Sequence, residues 1–184
     1  MRALYIDPGV HRMACARFDD ARLASVYFLK PVEFLTVDLG ALDRLVVEWP
    51  EVYQSTGHKK ANDLIELGGA ARFVEAAILA RSSVPVLRVT PRAWKGQIKK
   101  PPHHWRIWHS LTAEERVIAA RAFGASVEDV RSKIQSACER LARTGKESGY
   151  RWAAHNLLDA IGLGLWDSKR VGRAGHRLTS IVKL

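Results

Sequence analysis

The sequence predicts an α/β domain built on a mixed sheet. Short apolar runs at 3–7, 44–49 and 84–90 read as buried strands. Residues 12–18 and 22–29 read as a strand pair turned at Asp19-Asp20. A helical stretch at 60–81 lies between the last two apolar runs. Strands, then a helix, then a strand is the order of an α/β sheet protein.

Each element has a local cause. Pro8-Gly9 stops the first strand and Pro50 the fourth. Leu64, Leu67, Ala71, Val74 and Ile78 recur at helical spacing along 60–81. Residues 91–111 break the pattern with Pro91, Gly96, Pro101 and Pro102, and predict a long basic loop. Thr112 followed by Glu115 is a capping box that opens a helix. A further helix is expected from Ser126 to Arg143, then a basic turn bracketed by Gly145 and Gly149, then a last helix from Arg151 to Lys169. The domain is expected to span 1–168, with a loosely held basic tail at 169–184.

With 184 residues, 47% hydrophobic and 26% charged, the chain can bury a real core. Lys and Arg number 29 against 19 Asp and Glu, a net charge of +10. The basic residues cluster between Lys95 and Arg106 and between Lys169 and Arg177. A polyanion partner follows, nucleic acid first. No apolar run reaches the roughly 18–20 residues of a membrane helix, and Met1–Asp7 has no signal-peptide pattern. Cys15 and Cys138 lack metal-site spacing, which suits a reduced cytoplasm, the host's if the chain is phage-encoded.

The chemistry rests on three acids in apolar surroundings. Asp7 ends the first strand, Glu48 ends Leu45-Val46-Val47, and Asp159 interrupts the apolar run from Leu157 to Leu165. A carboxylate there costs free energy unless it is paired or binds a cation. Each alone has an ordinary reading as a turn former, an Arg partner or a solvent-facing helix residue. Converging at one end of a sheet, they would bind Mg²⁺ or Mn²⁺ through oxygen. Two such ions can drive in-line attack of water on a phosphodiester.

Leu4-Tyr5-Ile6-Asp7-Pro8-Gly9, Val47-Glu48-Trp49-Pro50 and His155-Asn156-Leu157-Leu158-Asp159-Ala160 resemble the motifs of RuvC-type Holliday-junction resolvases. Pro91-Arg92-Ala93-Trp94-Lys95-Gly96 resembles a segment of the phage-borne branch. The likeness covers roughly residues 3–166. It implies an RNase H-like fold, a five-stranded sheet flanked by helices, and a homodimer that nicks two strands symmetrically across a four-way DNA junction with two divalent ions. By resemblance Asp7, Glu48 and Asp159 are the metal-binding catalytic acids. The family's fourth ligand stands three residues before the last acid, where this chain has Asn156. His155, four residues before it, is the chemically stronger candidate for a ligand and proton carrier.

Lys95, Lys99, Lys100 and Arg106 are candidate phosphate contacts on the basic loop, and Lys59 and Lys60 at the start of the long helix. The adjacent His103 and His104 are expected on a flexible loop, binding nothing. Tyr53 is a candidate for stacking at unpaired bases. Gly68-Gly69 suggests close approach of another backbone, at a dimer seam or on the sheet, and Gly162 and Gly164 suggest the same against the sheet. Competing readings are a same-fold nuclease for flaps or forks and a non-catalytic junction-binding module. A two-lobed actin-like ATPase would need a longer chain.

Overall fold

The structure, a computed structural model, describes residues 1–51, 61–146, 150 and 155–171. Tyr53, Lys59 and Lys60 lie outside the described residues. The five strands are β1 (Arg2–Asp7), β2 (Met13–Asp19), β3 (Arg22–Leu29), β4 (Arg44–Glu48) and β5 (Val86–Val89). They form one sheet in the order β3-β2-β1-β4-β5. β2 runs antiparallel to β1 and β3, while β1, β4 and β5 are parallel. This is the mixed five-stranded sheet that the sequence predicts. The hairpin turn falls one residue later than the sequence suggests. Asp20 and Ala21 both take positive φ, 48° and 66°, as a tight two-residue turn requires.

Side chains alternate across β1 and β4, and this alternation sorts the core into two layers. Leu4, Ile6, Leu45 and Val47 face α1 (Ala61–Leu79) through Ala71, Val74, Ala77 and Ile78. Ala3, Tyr5 and Val46 face the opposite side, where α6 (His155–Asp167) crosses the sheet with Leu157, Leu158, Ile161 and Leu165. α2 (Pro91–Trp94), α3 (Lys100–Ser110), α4 (Ala113–Ala122) and α5 (Val127–Thr144) also pack on this second side. Asp7 and Glu48 are in phase with Tyr5 and Val46, so they point toward α6.

The expected loop at 91–111 is a correction. It holds α2 and α3, joined by a short turn through Gly96 at φ 66°. Pro101 and Pro102 fall in the first turn of α3, where a missing N–H costs nothing and the fixed φ favours the helix. His103, His104, Ile107 and Trp108 then form one buried stripe. The prolines therefore start a helix rather than interrupt one. The capping box read at Thr112 is present, with Thr112 accepting from Glu115 N–H, and the structure adds a second in which Ser126 accepts from Asp129 N–H.

Glycine explains how closely α6 can approach. A Cβ on Gly164 would run into the Phe18 ring of β2, and one on Gly162 into Ile107 and Trp94. Gly164 thus meets the sheet as expected, whereas Gly162 meets α2 and α3. A Cβ at Gly68 or Gly69 would meet nothing within 4 Å, which excludes a helix-on-sheet contact for that pair. Past α6, Arg170 forms a fork with the buried Glu115 at 2.5 and 2.6 Å, and Val171 is buried. Glu115 also accepts from Leu23 N–H and Thr112 N–H, so one carboxylate ties α4, β3 and the segment after α6 together.

Candidate active site

Parallel pairing of Ile6 with Val47 puts Asp7 and Glu48 abreast at the carboxyl ends of neighbouring strands. α6 brings Asp159 over that edge. Asp7 and Glu48 are each 9% exposed and Asp159 is 1% exposed. The three acids read from sequence are therefore gathered at one end of the sheet.

Cations and donors hold them there. The Lys95 ammonium lies 3.3 Å from Glu48 Oε2 and 3.5 Å from Asp159 Oδ1. The Lys100 ammonium lies 3.2 Å from Asp159 Oδ2. Trp94 donates its indole N–H to Glu48 Oε2 at 2.6 Å. Asp159 Oδ1 also meets His104 Nε2 at 3.3 Å, and His104 Nδ1 meets the Tyr150 hydroxyl at 2.7 Å. An ionised Asp159 can only accept, so His104 carries its proton on Nε2, and in the neutral ring Tyr150 donates to Nδ1.

The three carboxyls have different proton affinities. Burial raises Asp7 well above the usual carboxylate range, and the charges of Glu48 and Asp159 raise it further, against Lys95 and Lys100. Burial also raises Glu48, with Lys95 and the Trp94 donor opposing. Burial works against Asp159 too, but Lys95, His104 and Lys100 outweigh it and hold this acid well below its ordinary value. Lys95 shows the mirror effect: burial disfavours its charge, yet Asp159, Glu48 and Asp7 raise its pKa. The cluster has a low-pKa acid beside a high-pKa one in a buried cleft, a pattern common at functional sites.

The donor set suits a hard divalent cation, since hard ions take carboxylate oxygens. Asp7 supports that fit: it is buried, repelled by both other acids, and makes no hydrogen bond or ion pair among the described residues. As the side chains stand, no group of three His, Cys, Asp or Glu among the described residues is placed to hold a metal ion. Lys95 stands between Glu48 and Asp159.

The remaining candidates are placed as follows. His155 is half-buried, with its ring 6.3 Å from the His104 ring and 6.4 Å from Tyr150. Asn156 is also half-buried. Lys99 donates to the Gly145 carbonyl at 2.9 Å, at the end of α5. Arg106 turns toward His103 Nδ1 at 3.2 Å. Arg92, Lys95, Lys100 and His103 line a cavity of about 310 Å³ beside the carboxylates.

His104 and Trp94 are the site residues that sequence reasoning missed. The expectation of His103 and His104 on a flexible loop is corrected: both are fully buried in α3. The available signal was spacing, since His103-His104 and Ile107-Trp108 repeat at a helical interval after a proline pair.

The fold and site define an α/β domain with a buried carboxylate cluster at its sheet edge and basic groups beside it. Among solved structures, the chain is similar to Thermus thermophilus RuvC in complex with a Holliday junction substrate, at 16% identity and a TM-score of 0.43, covering 91% of this chain and 92% of that one. It is similar also to another Thermus thermophilus RuvC structure, at 14% identity and a TM-score of 0.41, covering 91% and 93%. No protein-family model and no curated protein matches the chain.

Proposed function

We propose that this protein is a divalent-metal-dependent, structure-selective DNA endonuclease that resolves four-way junctions by paired nicks. One observation carries the reading: Asp7, Glu48 and Asp159, remote in sequence, meet buried at one sheet edge beside a basic cavity. The motif resemblance of these same residues supports the substrate class. The excess of basic residues supports a polyanion partner.

Asp7, Glu48 and Asp159 would hold Mg²⁺ or Mn²⁺, with His155 as the proposed fourth ligand. Bound there, such ions would supply activation of the attacking water and stabilisation of charge on the leaving oxygen. The chain supplies the rest. Trp94 fixes the Glu48 carboxylate, and Tyr150 and His104 fix Asp159. Lys100 and Arg92 line the cavity where backbone phosphate is held in this reading. Burial excludes bulk water, which strengthens each of these electrostatic contacts. Symmetric cutting needs two such sites, so the protein acts as a homodimer. Gly68 and Gly69, with open space around them, belong to a surface on which a second backbone could seat.

The test is cleavage of a four-way junction and a matched linear duplex, with Mg²⁺ and with chelator. Paired nicks in the junction alone, dependent on metal and lost in Asp7→Asn, are expected. Equal cutting of flaps or forks would move the substrate class and leave the chemistry. A non-catalytic junction-binding module is the second reading, and Lys95 between the carboxylates favours it. Tight junction binding with no nicking under any divalent metal would establish it.

A further inference from the structure

We propose that Lys95 is the resident counter-ion of the carboxylate cluster, and that a divalent metal enters by displacing its ammonium toward the adjoining cavity. The inference rests on the reading of Asp7, Glu48 and Asp159 as metal ligands. It concerns what occupies their centre before metal arrives.

The geometry is specific. The ammonium contacts Glu48 and Asp159, acids from a strand and a helix that no local sequence relation brings together. It also lies 5.1 Å from the centre of the Trp94 ring. The Lys95 side chain is only 16% exposed. Its charge does for the acids what a metal would do: it offsets their repulsion and allows them to be buried. An ammonium set between Glu48 and Asp159 repels a dication approaching the same oxygens and occupies part of the space it needs, so binding of one opposes the other.

The displaced side chain has somewhere to go. Lys95 ends α2 and already lines the cavity of about 310 Å³ together with Arg92, Gln97, Lys100 and His103. Four rotatable side-chain bonds let the ammonium cross from the acids to the cavity without backbone movement. His103, fully buried, is among the residues around that cavity. Its Nδ1 accepts from the Arg106 guanidinium, which can only donate, so the ring proton is on Nε2, and that atom has no partner. A cavity lined by the cationic side chains of Arg92, Lys95 and Lys100 suits an anion of the phosphate class. Metal entry would therefore add a third cation to the cavity at the moment the acids are neutralised.

Two measurements test this. Mn²⁺ affinity, read calorimetrically without DNA, should tighten roughly tenfold in Lys95→Met, the weight of one partly buried charge contact. In the wild-type protein, modification of Lys95 by an amine-specific acetylating reagent, mapped by mass spectrometry, should speed up several-fold when Ca²⁺ or Mn²⁺ is added. That second arm does not depend on the variant folding. Equal or weaker Mn²⁺ binding by Lys95→Met, or Lys95 modification unchanged or slowed by metal, would overturn the displacement while leaving the metal site standing. Absence of Mn²⁺ binding in both proteins would overturn the metal site and this inference together.

Discussion

Asp7→Asn should make the protein more stable at neutral pH while removing the nuclease activity proposed above. Asp7 is buried, and its charge is opposed by burial and by Glu48 and Asp159. Lys95 and Lys100 offset only part of this, since the folded pKa stays raised. A carboxyl with a raised folded pKa contributes stability that is present below the unfolded value and lost as pH climbs through the folded one. At pH 7 Asp7 therefore costs the fold stability, either as a buried charge or as a proton taken up on folding, and a neutral amide of the same shape does not. Relief of an active-site charge conflict is worth about 1–2 kcal/mol. For a domain of this size that corresponds to roughly 2–8 °C in Tm. Thermal melts followed by circular dichroism at pH 7 and at pH 3.5 read it, with the metal chelated. The gain should shrink at the lower pH, where Asp7 is largely protonated in both states. An Asp7→Asn protein that melts below wild type at pH 7, or whose advantage is undiminished at pH 3.5, would refute the electrostatic argument. Divalent metal should raise the wild-type Tm and leave that of Asp7→Asn nearly unchanged.

Trp94→Phe removes a short donor to Glu48, and hydrogen bonds to charged groups contribute about 1.5–3 kcal/mol. Urea unfolding should show a loss of that order, and Glu48→Gln made in the same background should reduce it. Arg170→Ala leaves the Glu115 carboxylate buried beside two backbone N–H groups only, at a cost of about 2–4 kcal/mol given the partial exposure of Arg170; a change below 1 kcal/mol would mean that the fork is ornamental to the fold. Gly164→Ala drives a methyl into the Phe18 ring and should destabilise by about 1–3 kcal/mol or more, whereas Gly69→Ala, with open space around it, should gain up to about 1 kcal/mol in the monomer. If the chain cuts junctions as proposed, His155→Ala should lose much more nicking than Asn156→Ala. The reverse ranking of the two variants would restore Asn156 as the fourth ligand.

The sequence by itself determined the strands, the α/β class and the three acids. Apolar runs and punctuating prolines are local signals, and a carboxylate inside such a run is anomalous wherever the chain later goes. It also determined the helix start at Thr112, because a capping box closes within four residues. The segment 91–111 was misread because Pro marks both helix beginnings and helix breaks. The buried stripe after Pro102 becomes decisive only once there is a core for it to face. The partners of each acid were decided by tertiary structure alone. Trp94 reaches Glu48 across 46 positions, and His104 reaches Asp159 across 55. No propensity or period links such residues. They meet because α2, α3 and α6 pack on the same face of the sheet, and glycine at 162 and 164 lets α6 come close. Lys95 shows the same division. Its charge and its place in a basic segment were legible in the chain, and read as a phosphate contact. That its ammonium sits between two carboxylates follows from the balance of burial and charge in the folded cluster, where acids taken from water must find a cation.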